Sequence, residues 1–328
     1  MTDRPVHLAV LFDALDQETL DGLFGDEVHA TVVPGLDAAR RAEVLADADA
    51  LLVWNWQGEL QPEEARRSPA RLVQLLSAGA DHLPFDQLPP DALVASNVGA
   101  YAAPMAEHVM AMILTILKRL RTNHDKLARG VWDHDTPTRT LNGAQCAIVG
   151  YGGIGRAVAT HLRGFGGRIH AVNTSGTTTD PVDFVGTLDD LDDVLRVADV
   201  IVLSLPLTRR TRGLFDRPRL QNMKPSAVLV NVARGSIVDE DALFEHLRTH
   251  PEFTAAIDTW WNEPGAGKPF HTNRPFFDLP NLLGSPHNSG IVAGMTRTAA
   301  RAAAANITRF ARGEPLTGIV RPEEYVGS

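Results

Sequence analysis

A single cysteine, Cys146, stands among the 328 residues, so no intrachain disulfide can form. It lies in the apolar run Cys146-Ala147-Ile148-Val149 and reads as a buried strand residue rather than a reactive thiol. A surplus of positive charge is missing as well. The formal net charge is -9. That excludes attraction to nucleic-acid phosphates or anionic lipid over the whole surface and leaves room for a local basic site that takes a small anion. Met1-Thr2-Asp3-Arg4-Pro5 lacks the basic-then-apolar pattern of a secretory leader. The most apolar helix candidate, residues 105–117, carries Glu107 and His108 and is too short to cross a bilayer. Twelve histidines are present, yet none shows a ligand spacing such as H-E-x-x-H, so no metal is expected. Internal repeats and low-complexity tracts are absent too. These absences predict a cytoplasmic protein without a membrane or nucleic-acid partner.

What is present is ordinary for a folded chain: 44% hydrophobic and 22% charged residues. The length suits two domains. In the first third, apolar runs at 7–12, 50–54, 72–76 and 93–96 read as strands, with helical stretches at 17–23 and 36–46 between them. Such alternation predicts a parallel sheet covered on both faces. A long helix is expected over 104–127, with Val109, Ile113, Ile116 and Leu120 on one stripe. Beyond a polar stretch at 130–143, strands are expected near 144–149, 168–172, 199–205, 227–232, 254–258 and 281–285. Helices are expected at 154–162, 188–197 and 239–249, with an alanine-rich one at 292–312. This is a doubly wound α/β pattern.

Gly150-Tyr151-Gly152-Gly153-Ile154-Gly155 matches G-x-G-x-x-G, follows the apolar strand and opens a helix with Arg156. Gly150 permits a tight turn, Gly152 lets backbone approach a pyrophosphate, and Gly155 lets helix and strand pack closely. The helix N-terminus offers N–H groups to phosphates. A nicotinamide dinucleotide is therefore expected on this loop. An NAD-selective site carries an acidic residue at the end of the next strand, but Asn173, Thr174 and Ser175 stand there. Loss of the carboxylate removes repulsion of a 2′-phosphate, which favours NADP over NAD, although no arginine follows directly.

Three later segments place functional side chains just past strand ends: Arg234 in 231–240, Asp258 with Glu263 in 258–264, and His287 after Pro286. In an open α/β sheet, ligands sit outside the carboxyl ends of the strands.

Taken in order, these motifs resemble the D-isomer-specific 2-hydroxyacid dehydrogenase family. The likeness covers roughly 77–290. It rests also on Ser77-Ala78-Gly79-Ala80-Asp81, Met105-Ala106-Glu107-His108, Leu205-Pro206-Leu207-Thr208 and Met223-Lys224-Pro225. The resemblance implies two doubly wound parallel-sheet domains. A flavodoxin-like substrate domain would comprise 1–99 and 292–328, and a Rossmann dinucleotide domain 100–291. It implies a homodimer acting on a small anionic substrate, a 2-keto or D-2-hydroxy acid resembling glyoxylate or hydroxypyruvate. Arg234 would pair with the substrate carboxylate and C2 oxygen. His287 would be the general acid/base, for which an imidazole of pKa about 6.5 is suited. Glu263 would orient its ring. The backbone around Ser77, Ala78 and Gly79 would hold the carboxylate, Pro206 would adjoin the cofactor, and Asp258 the nicotinamide amide.

Some positions depart from the family. Ser204 replaces a common histidine. Tyr101 stands where formate dehydrogenases carry asparagine, which counts against formate and places Tyr101 near the substrate. Trp260 and Trp261 are bulkier than usual; core packing is the plainer reading, a pocket wall the other. Two alternative functions stay open at this level: oxidation of an unusual anion such as phosphite or a phosphonate, and a nicotinamide-sensing, corepressor-like binding protein.

Overall fold

In the computed structural model, residues 4–265 and 267–325 are described; Met1, Thr2 and Asp3 of the leader reading lie outside them. The chain begins β1 (Val6–Val10), α1 (Gln17–Asp21), β2 (Val28–Val32), α2 (Ala38–Ala46), β3 (Ala50–Val53), α3 (Pro62–Arg67), β4 (Leu72–Leu75) and β5 (Leu93–Ala95). Next come α4 (Ala102–Leu117), α5 (Leu120–Ala128), β6 (Gln145–Val149), α6 (Gly153–Gly164), β7 (Arg168–Val172) and β8 (Phe184–Gly186). Then follow α7 (Leu191–Val197), β9 (Val200–Leu203), α8 (Arg217–Asn222), β10 (Val228–Asn231), α9 (Glu240–Thr249), β11 (Thr254–Ile257), β12 (Leu282–Gly284) and α10 (Met295–Arg312). Aspartates start four of the helices: the side chains of Asp16, Asp37, Asp216 and Asp239 each accept a first-turn N–H. No helix among the described residues is long and apolar enough to cross a membrane.

Packing divides the chain into two units, Met1–Tyr101 with Val292–Ser328, and Ala102–Ile291. Unit 1 carries a parallel sheet of order β2-β1-β3-β4-β5, the flavodoxin-like order. Its last strand is extended by the C-terminal segment, through Ser96 N–H to Gly318 O and Val320 N–H to Val94 O. Unit 2 carries a seven-stranded parallel sheet, β12-β11-β10-β9-β6-β7-β8. The chain reverses direction across the sheet between β6 and β9, which opens the crevice where dinucleotides bind in such folds. Strand alternation feeds a layer on each face: Ile201 and Leu203 enter one core, Val200 and Val202 the other. Cys146 is fully buried and its thiol is pushed up to about 12, by burial first and then by Asp199 and Asp183.

The helix expected over 104–127 is two helices. α4 buries Val109, Ile113 and Leu117. The Leu117 carbonyl then accepts from Arg139 N–H, and Arg119 turns into the left-handed region at φ 53°. The stripe stops there, and Leu120 is exposed. Strands β2 and β8 and helices α3 and α8 carry no clear sequence signal. The two strands are sheet edges, with His29 exposed in β2, and the two helices have six residues each.

Candidate active site

The strand–turn–helix at 149–153 is built around close approaches. Gly150 has φ 98°, and a Cβ there would lie 2.4 Å from the Leu205 nitrogen, so the loop packs backbone-to-backbone on the segment after β9. A Cβ on Gly155 would meet the Gly150 carbonyl at 2.4 Å, whereas one on Gly152 would point into open space. No side chain caps α6 at Gly152. Its N-terminus therefore faces an open cradle with N–H groups available to an anion, and the residues present fit a dinucleotide pyrophosphate. The Ser204 hydroxyl donates to the Gly150 carbonyl at 3.0 Å, which ties the end of β9 to the loop. Pro206 is exposed beside it, and its carbonyl accepts from the Thr211 hydroxyl at 2.7 Å.

Asn173 ends β7 and organises the following turn. Its Oδ1 accepts from Gly176 N–H at 2.7 Å and Ser175 N–H at 3.1 Å, and its Nδ2 donates to Thr177 O at 2.9 Å. Thr174 and Ser175 are exposed. Arg156 sits over the Tyr151 ring, 5.7 Å from its centroid, and reaches Asp180 at 3.4 Å. A carboxylate is thus nearby, but it comes from beyond the Asn173 turn.

At the far side of the same sheet, the ends of β10, β11 and β12 bring Arg234, Asp258, Glu263 and His287 into one region. The His287 Nδ1 lies 2.7 Å from Glu263 Oε2, and Glu263 Oε1 accepts from Trp260 N–H at 2.9 Å. Burial works against the Glu263 charge. Hydrogen bonds from His287 and the Trp260 N–H, with the Arg234 charge, outweigh it and hold the carboxyl below its ordinary value. His287 has φ 52°, a costly conformation for a residue with a Cβ. Its own N–H donates to Asp258 O at 2.8 Å, which fixes that turn. Arg234 follows β10 in a loop shaped by the buried Asn231, whose Oδ1 accepts from Ala233 N–H and whose Nδ2 donates to Arg234 O. A Cβ on the adjacent Gly235 would lie 2.4 Å from the Trp260 carbonyl carbon, so the Arg234 loop rests directly on the backbone that leads to Glu263.

Asp258 is fully buried. Burial raises its pKa, but the Ser285 hydroxyl (2.5 Å) and groups of Ser289 and Asn288 donate to it and bring it below its ordinary value. His108 of α4 completes this network: its Nε2 lies 3.0 Å from Ser285 Oγ. Because that hydroxyl gives its proton to Asp258, His108 is the donor to it. Sequence reasoning singled out neither His108 nor Ser285 as a site residue. Both lay within quoted motifs, Met105-Ala106-Glu107-His108 and Ser285-Pro286-His287, and their link across sequence appears only in the fold.

Both tryptophans pack in the core, Trp260 as a buried member of it and Trp261 against it. Trp261 stacks on Phe276 at 5.3 Å and donates its indole N–H to Val238 O, as core packing requires. Trp260 lines a cavity of about 380 Å³ together with Glu263, Phe270, Phe277 and His287. Ser77, Ala78, Gly79 and Tyr101 belong to unit 1. There the Ser77 hydroxyl donates to Gly79 O at 2.9 Å on the turn after β4, and Tyr101, just before α4, reaches back to that turn through its hydroxyl, which donates to Leu76 O at 3.0 Å.

Residues 110–289 match the family described as D-isomer specific 2-hydroxyacid dehydrogenase, NAD binding domain. The chain belongs to that family. It is similar to D-3-phosphoglycerate dehydrogenase of Mycobacterium leprae, 30% identical over 87% of this chain and 53% of the relative. It thus spans about half the length of the phosphoglycerate dehydrogenases it matches. It is also similar to hydroxypyruvate reductase of Thermotoga maritima, 26% identical over 84% of this chain and 89% of that one. Among solved structures it resembles a D-isomer specific 2-hydroxyacid dehydrogenase from Xanthobacter autotrophicus Py2 in complex with NADPH and MES. The TM-score is 0.78 at 28% identity, covering 97% of this chain and 99% of that one.

Proposed function

We propose that this chain is an oxidoreductase exchanging hydride between a nicotinamide dinucleotide and a small 2-keto acid or its 2-hydroxy acid of the D series, of the kind of glyoxylate or hydroxypyruvate. The observation that carries this reading is the His287–Glu263 pair at 2.7 Å beside Arg234, at the strand ends of a dinucleotide fold. When bound, the dinucleotide supplies or accepts the hydride. With Nδ1 held by Glu263, His287 presents Nε2 and gives its proton to the carbonyl oxygen during reduction; in oxidation it takes that proton back. The planar guanidinium of Arg234 pairs with the carboxylate and the C2 oxygen. Unit 1 is the substrate domain, with the Ala78–Gly79 backbone assigned to the carboxylate, and unit 2 the dinucleotide domain. The buried thiol suits the reducing cytoplasm. A homodimer is supported by apolar side chains left exposed on and after α5: Leu120, Leu127, Val131 and Trp132.

Replacing His287 with Ala is expected to lower kcat about a hundredfold or more, with dinucleotide binding retained by titration. A kcat within about threefold of the parent, far short of the usual effect of losing a general acid, would contradict the role given to His287.

For the cofactor, NADP is the reading supported by Asn173, Thr174 and Ser175, none of which repels a 2′-phosphate. The related Xanthobacter protein was crystallised with NADPH. Asn173→Asp is expected to shift the ratio of NADPH to NADH affinity toward NADH. An unchanged ratio would remove the ribose contact from this turn.

A further inference from the structure

The cavity beside His287 is larger and more apolar than chemistry on a two-carbon acid requires. Three rings wall it. Trp260 stands 5.1 Å edge-on to Phe270 and 5.4 Å from Phe277, and the two phenylalanines are 6.1 Å apart. Phe270 is 41% exposed and Phe277 58% exposed, so their apolar faces are not consumed by the core of their own unit. Gly284 lets the rings close against β12, since a Cβ there would lie 2.8 Å from the Trp260 ring and 3.3 Å from Phe277. The Trp260 ring is pinned by its indole N–H, which donates to Ser285 O at 2.8 Å.

Magnitude and charge decide what fits. An apolar cavity of about 150 Å³ already admits a benzene ring, and this one measures about 380 Å³. With the carboxylate and C2 oxygen of a 2-keto acid assigned to Arg234 and His287, only the group beyond C2 is left to place. A hydroxylated group would give up water against three rings, with few polar groups in the wall besides Glu263, Ser285 and His287, which already have partners, to answer it. A phosphorylated or carboxylated group would meet the Glu263 carboxylate in the same wall.

We propose that this cavity is the side-chain subsite. The preferred substrates are then 2-keto acids bearing a branched apolar or aromatic group, ahead of glyoxylate, hydroxypyruvate and phosphorylated acids. This rests on the hydride-transfer reading above.

The test is kcat/KM of the whole 328-residue chain for glyoxylate, hydroxypyruvate, 4-methyl-2-oxopentanoate and phenylpyruvate, in the parent and in Phe277→Ser. The parent is expected to prefer the two apolar acids by about tenfold or more, the scale on which apolar pockets separate substrates. Phe277→Ser is expected to lower the ratio of phenylpyruvate to glyoxylate kcat/KM by a similar factor. In the parent alone, 3-phenylpropanoate should inhibit competitively at lower concentration than acetate, a measurement independent of how the variant folds. Glyoxylate or hydroxypyruvate outranking both apolar acids, an unchanged ratio in Phe277→Ser, or equal inhibition by the two acids would overturn the subsite. Turnover of glyoxylate in that case would leave the hydride-transfer reading standing. Failure of every 2-keto acid would end both.

Discussion

Asp258 shows how single residues hold this site. Its carboxylate is fully buried and answered by donors from three neighbours, Ser285, Asn288 and Ser289. Through its backbone carbonyl it also fixes His287. Its carboxyl lies below its ordinary value in the folded protein. Its contribution to stability is therefore complete above the unfolded value and is lost as pH falls through the folded one. Asp258→Asn would turn an amide N–H₂ toward existing donors. It is expected to cost about 1–3 kcal/mol at neutral pH and to make the acid limb of stability shallower below about pH 4. Urea unfolding as a function of pH checks this; a variant as stable as the parent at pH 7 would contradict it.

Among elements, the loops after β10 and β11 do the positioning. Gly235 brings the Arg234 loop onto the Trp260–Trp261 backbone, with no room for a methyl group. Gly235→Ala is expected to cost about 1–3 kcal/mol, the usual penalty for overpacking, and to lower kcat/KM by displacing Arg234. An unchanged melting temperature and unchanged kcat/KM would show that the contact is not needed. This scale also marks where the sequence was readable. The strand–glycine–helix at 149–155 was legible because apolar run, turn residues and helix lie next to one another in the chain. The buried strands β3, β4, β9 and β10 were legible for the same reason. The break at Arg119 was not, because the group that ends α4 comes from Arg139, 22 residues after Leu117. The link from His108 to Ser285 spans 177 positions, and no local pattern announces it.

The whole molecule is two parallel-sheet units, one with a flavodoxin-like strand order and one with a dinucleotide-binding order. The second carries both the glycine cradle and the Arg234–Glu263–His287 group. The sequence pattern of alternating strands and helices anticipated both sheets, since parallel strands buried on two faces read as plain apolar runs. It left β2 and β8 unannounced, because both are only half-covered at sheet edges, whereas the edge strands β5 and β12 still showed as apolar runs. The proposed function joins the cradle to the histidine pair in one chemistry, hydride exchange at C2 of a 2-keto acid. The most direct measurement mixes the purified protein with NADH or NADPH and a panel of 2-keto acids, and follows the absorbance of the reduced dinucleotide. Its loss, coupled to formation of the D-2-hydroxy acid, is the expected result. Tight binding of the dinucleotide with no turnover of any acid would contradict it and leave a nicotinamide-binding protein in its place.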